Sequence, residues 1–213
     1  MRCGSAPMGD MEFAAMGDLS VRQCTVADKG AVSAMLGAAF QEDPVMCFIF
    51  PDPEARRARL PGFFGVIYDG DGANGARLMT VNGEAATLWR APGHGRLSLR
   101  EKIQEAWPWV AASGSALGRA LAYSGASDRH HPSEAHWYLH IAGCHPAAQR
   151  QGFGSAAIRT GLLRSDSDGV PAYLETATES NLPFYASLGF NVIGEWKVRN
   201  GPLCWSMLRK PAR

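Results

Sequence analysis

The stretch CHPAAQRQGFGSAAI, Cys144 to Ile158, sets Gly152 and Gly154 beside Arg150 and then runs directly into an alanine-rich segment. A glycine turn at that place could hold an anion. The first N–H groups of a helix have no partner inside it, and they carry the positive end of its dipole. Glycines clear the approach and take turn dihedrals at low cost. Arg150 adds charge from the side. The spacing alone leaves a second reading open, in which the glycines only tighten a strand–helix connection. Two phosphate motifs are excluded. QRQGFG has no Lys-Ser/Thr after its glycines, and it lacks the third glycine of GxGxxG.

The elements that must position this turn follow from periodicity. Leu19–Cys24 alternates as a strand, and Thr25 with Asp28 forms a capping box ahead of a helix whose stripe is Val32, Met35, Leu36 and Phe40. EDPV ends that helix, CFIFPDP reads as a short aromatic stretch, and EARRARLPGFFGVIYDG reads as helical with Pro61 near its start or at a joint. DGDGANG, residues 69–75, is a turn-rich break before two strands joined at Asn82-Gly83. Residues 97–123 hold helical pieces broken by Pro108 and Gly114, and LREKIQEAW within them reads as an amphipathic cover for an acceptor site. SDRHHPSEA and SDSDGV read as loops. HWYLHIAGC and PAYLETA read as strands, and SNLPFYASLG as a short helix with Gly189 at its end. Two strands around Asn200-Gly201 close the chain. No repeat or composition shift marks a second domain. The reading is a loose leader over residues 1–18 and one mixed α/β domain over 19–213.

Bulk properties narrow the function. The 213 residues carry a net charge of +1 with 19% charged residues, so no global field draws nucleic acid. No apolar run approaches a signal peptide or a membrane span. Five cysteines without a CxxC pair fit neither a disulfide framework nor a zinc site, and point to a reducing, cytoplasmic setting. His136 and His140 are four apart, but on a strand that separates them by about 13 Å, so no metal is expected. Trp107, Trp109, Tyr123 and Phe48 are candidates to line an acceptor pocket.

Taken together, the motifs resemble the GNAT N-acetyltransferase superfamily. Gln149, Gly152 and Gly154 match its acetyl-CoA-binding pattern, with Pro146 in register and Cys144 at the usual valine. Asn181, Tyr185, Gly189 and Phe190 match its second motif. AFQEDPVMCFIF, GEAATLWRAPG and GPLCWSMLRKP are similar to the puromycin N-acetyltransferase-like branch. The resemblance implies a twisted mixed sheet of six or seven strands, splayed between two central parallel strands, with helices on both faces. It implies acetyl-CoA as cofactor, held by Ile141, Ala142, Gly143 and Cys144 of the strand edge, by Gln149, Arg150, Gln151, Gly152, Phe153, Gly154 and Ser155 of the turn, and by Asn181.

It also implies Tyr185 as the general acid for the leaving thiolate and Glu175 as the first choice of base; Glu134 and His136, at the mouth of the central strand, are reserves, and an amine of low enough pKa needs no dedicated base. The expected activity is transfer of acetyl to a small-molecule amine. Expected partners are that amine, no nucleic acid and no membrane, with the chain a monomer or homodimer. A protein or peptide acetyltransferase, a non-catalytic CoA sensor and a nucleotide-binding protein stay open as alternatives.

Overall fold

The computed structural model describes residues 17–73, 75–93 and 106–212. The proposed leader and LREKIQEAW fall mostly outside these residues. Seven strands form one sheet: β1 (Val21–Gln23), β2 (Gly75–Thr80), β3 (Ala85–Arg90), β4 (Trp137–Cys144), β5 (Ala172–Thr176), β6 (Asn191–Lys197) and β7 (Leu203–Arg209). Their spatial order is β1-β2-β3-β4-β5-β7-β6. Among the described residues only β4 and β5 are parallel, and every other neighbouring pair is antiparallel.

The helices are α1 (Lys29–Ala39), α2 (Pro44–Ile49), α3 (Pro53–Ala73), α4 (Ala106–Ser113), α5 (Leu117–His130), α6 (Phe153–Asp168) and α7 (Leu182–Ser187). They cover both faces of the sheet. Met79, Ala86 and Leu88 pack with α1 and α3, whereas Leu78, Trp89 and Leu174 pack with Ile158 and Leu162 of α6. Alternation along β2 and β3 thus divides the apolar residues between two cores.

The expected fold class holds, and four local expectations change. The first is α2, in a segment expected to end a helix at EDPV and continue as a short aromatic stretch. The Asp43 carboxylate accepts from the N–H groups of Val45 and Met46 at 2.9 and 3.0 Å, with Pro44 in the first turn. The second is the 69–75 break, since α3 continues through Asp71 to Ala73. Ile67 and Tyr68 are buried near its end, so tertiary packing overrides the glycines. Pro61 lies inside α3, against Gly37 of α1, where an added Cβ would come within 3.0 Å of the proline ring.

The third change is α6, which runs on through SDSD. The charged residues there have distant partners: Asp166 receives Arg209 at 2.7 and 3.0 Å, and Asp168 accepts from the Trp137 indole at 2.8 Å. In the same way α5 extends to His130, into a stretch read as loop. Among the described residues, no helix is long and apolar enough to cross a membrane.

Candidate active site

The parallel pairing of β4 with β5 covers Trp137–Ala172, Tyr138–Tyr173 and Leu139–Leu174, and stops there. Both strands continue, β4 to Cys144 still paired with β3, so its β5-facing edge is left open beyond Leu139. An irregularity in the β3–β4 register coincides with the parting. Leu88 faces Ile141 and Trp89 faces Leu139, so His140 is an extra residue on β4. A bulge of this kind bends its strand. The opening leads into a cleft of about 1240 Å³.

One wall of the cleft is the turn before α6. Arg150 and Gly152 both have positive φ, 64° and 92°, and Gly152 is the N-cap of α6. Left-handed residues in such a turn let consecutive N–H groups converge on an anion. A Cβ added to Gly154 would meet nothing within 4 Å, so its main chain is open to an approaching group. Gln149, Arg150, Gly152, Gly154 and Ser155 line this wall, as do Ile141 to Cys144 of the open edge. Phe153 buries its ring in a small core with Ala85 and Ala157, so only its backbone can serve a ligand. Gln151 is not on the cleft wall; its side-chain amide donates to the Ala147 carbonyl at 3.2 Å. An anionic, extended ligand running from the turn along the β4 edge fits these residues.

Across the opening, Asn181 and Tyr185 both reach the cleft wall. Asn181 ends a short 3-10 turn and Tyr185 belongs to α7, where it packs on Phe190. The Tyr185 hydroxyl forms no hydrogen bond among the described residues. The buried side-chain atoms lacking a partner there are Ser33 Oγ and Ser113 Oγ, so the phenol is not sealed and opens to the cleft. Burial pushes its pKa up to about 12, and the charge of Asp43 acts in the same sense.

Glu175 is the first β5 residue past the last parallel pair. Ser127 donates to its Oε2 at 2.6 Å and Tyr173 to its Oε1 at 2.8 Å. Ser206 Oγ, 2.8 Å from the Tyr173 hydroxyl, accepts from the Trp196 indole at 3.2 Å and completes a buried polar chain. Burial raises the Glu175 pKa, opposed by the Ser127 and Tyr173 hydrogen bonds.

A matching region of sequence decides the family. The acetyltransferase (GNAT) family model matches residues 84–190, half of the chain, from the β3 hairpin through α7. The chain belongs to the GNAT acetyltransferase family. A solved Corynebacterium glutamicum structure, described as histone acetyltransferase HPA2 and related acetyltransferase, is similar over 91% of this chain and 97% of its own, with 26% identity and a TM-score of 0.69. Arylalkylamine N-acetyltransferase 2 from Aedes aegypti shares the fold at 12% identity, with 91% and 99% coverage and a TM-score of 0.57. Polyamine N-acetyltransferase from Drosophila melanogaster shares it at 15% identity, with 90% and 99% coverage and a TM-score of 0.54.

In this GNAT chain several expected pocket residues fall elsewhere. Trp109 lines the cleft and meets Phe63 edge-on at 5.1 Å, and Tyr123 lines it as well. Trp107 is 77% exposed and off the cleft, and Phe48 packs against the α1–α3 core instead. Glu134 and His136 do not reach the cleft; His136 is buried against His131.

Other residues that reach the site were missed. His140 lines the cleft and its Nδ1 lies 2.6 Å from Asp71 Oδ2, while Arg90 Nε lies 2.6 Å from Asp71 Oδ1. No sequence signal joins positions 71, 90 and 140. Asp43 could have been found, since an acid directly before proline is a helix-start signature. Among the described residues, no group of His, Cys, Asp or Glu is arranged to hold a metal ion.

Proposed function

We propose that this GNAT protein is an acetyl-CoA-dependent N-acetyltransferase for a small-molecule amine, working by direct attack in a ternary complex. One observation carries the reading. The open edge of β4, the glycine turn and the unsealed Tyr185 hydroxyl all face one cleft. The bound cofactor supplies an activated acetyl thioester. The N–H groups from Gly152 to Ser155 hold its diphosphate, with Arg150 adding charge from the side. The free peptide groups between Ile141 and Cys144 hold its arm, and one N–H there polarises the carbonyl where negative charge develops. Asn181 hydrogen-bonds the same arm. Tyr185 protonates the departing thiolate: a phenol with a pKa near 12 stays protonated through the neutral range.

The rest of the cleft selects the acceptor. Its walls carry the carboxylates of Glu42, Asp43, Asp128 and Glu175 together with Phe63 and Trp109. Acids beside aromatic surfaces favour a cationic amine with an apolar body. Glu175, oriented by Ser127 and Tyr173, anchors the incoming ammonium. The test is release of free thiol from acetyl-CoA across polyamines, aminonucleosides, aminoglycosides, amino acids and peptides. Saturable turnover on a small amine is expected. Turnover on peptides alone overturns the acceptor class, and CoA binding without any thiol release makes the chain a sensor.

A further inference from the structure

We propose that His140, held by Asp71, is the base that takes the proton from the attacking amine. This rests on the acetyl-transfer reading above. The geometry begins with the bulge. Leu139 packs in the α6-side core and Ile141 in the α1–α3-side core, and the extra residue between them is His140. It stands where β4 leaves β5, beside the open edge that would hold the thioester.

The imidazole is oriented by a buried carboxylate. Asp71 has no exposed side-chain surface, and its two oxygens meet His140 Nδ1 and Arg90 Nε at 2.6 Å each. A carboxylate only accepts, so Nδ1 carries the proton and Nε2 keeps its lone pair. Nε2 has no hydrogen bond among the described residues, and it is not among their sealed polar atoms. The side chain is 18% exposed on the cleft wall, so the lone pair is accessible from the substrate side.

The charged and titratable groups facing the ring are Asp71 from α3, Arg90 from β3, Asp128 from α5 and the Tyr138 ring on β4 itself, 5.2 Å away. Burial and Arg90 lower the histidine pKa, while Asp71 and Asp128 raise it; the balance lies below its ordinary value. His140 is therefore uncharged at neutral pH and ready to accept a proton. Glu175, by contrast, has both oxygens engaged by Ser127 and Tyr173.

The step balances as follows. The anchored ammonium first gives one proton to solvent; the freed lone pair then forms the N–C bond to the acetyl carbon, the C–S bond breaks, and its electron pair stays on sulfur. The proton shed by nitrogen passes to His140 Nε2, and the sulfur takes one from the Tyr185 hydroxyl. Solvent returns the proton from the imidazolium to the phenolate. Asp71 and Arg90 are positioning residues.

The experiment compares the wild type with His140→Asn, Asp71→Asn and Glu175→Gln, using the best amine of the panel. His140→Asn should lower kcat by about 100-fold or more, abolish the acid limb of the kcat–pH profile and leave KM for acetyl-CoA unchanged. Asp71→Asn should keep that limb and move it to lower pH. Glu175→Gln should keep it in place and raise KM for the amine. Independently of turnover, ¹⁵N imidazole spectra of the wild type should show His140 protonated at Nδ1.

If Asp71→Asn does not fold, the spectra and His140→Asn decide. A His140→Asn protein as active as wild type with its acid limb intact, or a His140 protonated at Nε2, overturns the proposal alone. A wild type inert toward every amine overturns the acetyl-transfer reading and this proposal with it.

Discussion

Leu139 and Ile141 are two residues apart on β4, yet they lie on opposite faces of the sheet. In a regular strand they would share a face. The bulge at His140 changes the parity, and it does so where the parallel pair ends. One irregularity thus accompanies the open strand edge, keeps the two cores filled and places an imidazole beside Asp71.

The turn before α6 should separate binding from folding. Gly154 has open space where a Cβ would stand and helical neighbours behind it. Gly154→Ala should stabilise the helix by about 0.5–1 kcal/mol. Gly154→Leu should weaken acetyl-CoA binding strongly without lowering the melting temperature. Calorimetric titration alongside thermal unfolding measures both. Unchanged affinity in the leucine variant would count against the cradle.

Gly161 should behave in the opposite way. A Cβ there would come within 2.5 Å of three atoms of the Trp89 indole, which is fully buried and donates to Thr87 Oγ1 at 3.0 Å. Gly161→Ala forces α6 off the sheet or Trp89 out of its place. A loss of about 1–3 kcal/mol is expected in urea unfolding. Because α6 begins at the glycine turn proposed to hold the diphosphate, a parallel loss of acetyl-CoA affinity should accompany it.

Tyr185→Phe should lower kcat by about 100-fold while acetyl-CoA affinity is unchanged, because it removes the proposed proton donor to the thiolate. Its pH behaviour has a defined sign. The folded-state pKa, near 12, lies above the unfolded value of about 10, so the neutral phenol is the form that the fold favours. The stability linked to it is complete below pH 10 and is lost as pH rises toward 12. An ultraviolet difference titration between wild type and Tyr185→Phe should show one phenol ionising near pH 12. A midpoint near 10 would place the hydroxyl in open water.

The chain order alone settled the fold class, the strand–turn–helix around Gly152 and the short helix carrying Tyr185, because each is local. The Thr25–Asp28 box, the Asn82-Gly83 hairpin and the Gly189 helix end each need only a few neighbouring residues, and periodicity reports them directly. What lay beyond local reading depends on residues far apart. SDSD became helix because Arg209 and Trp137 arrive from other strands. Residues 69–71 became helix through packing, and Asp71 reached His140 from 69 residues away. A bulge leaves no mark in hydrophobic alternation when the residues beside it are apolar. Side-chain charges find their partners through the packed sheet, so only the tertiary structure could set an imidazole, a buried carboxylate and a phenol around one cleft.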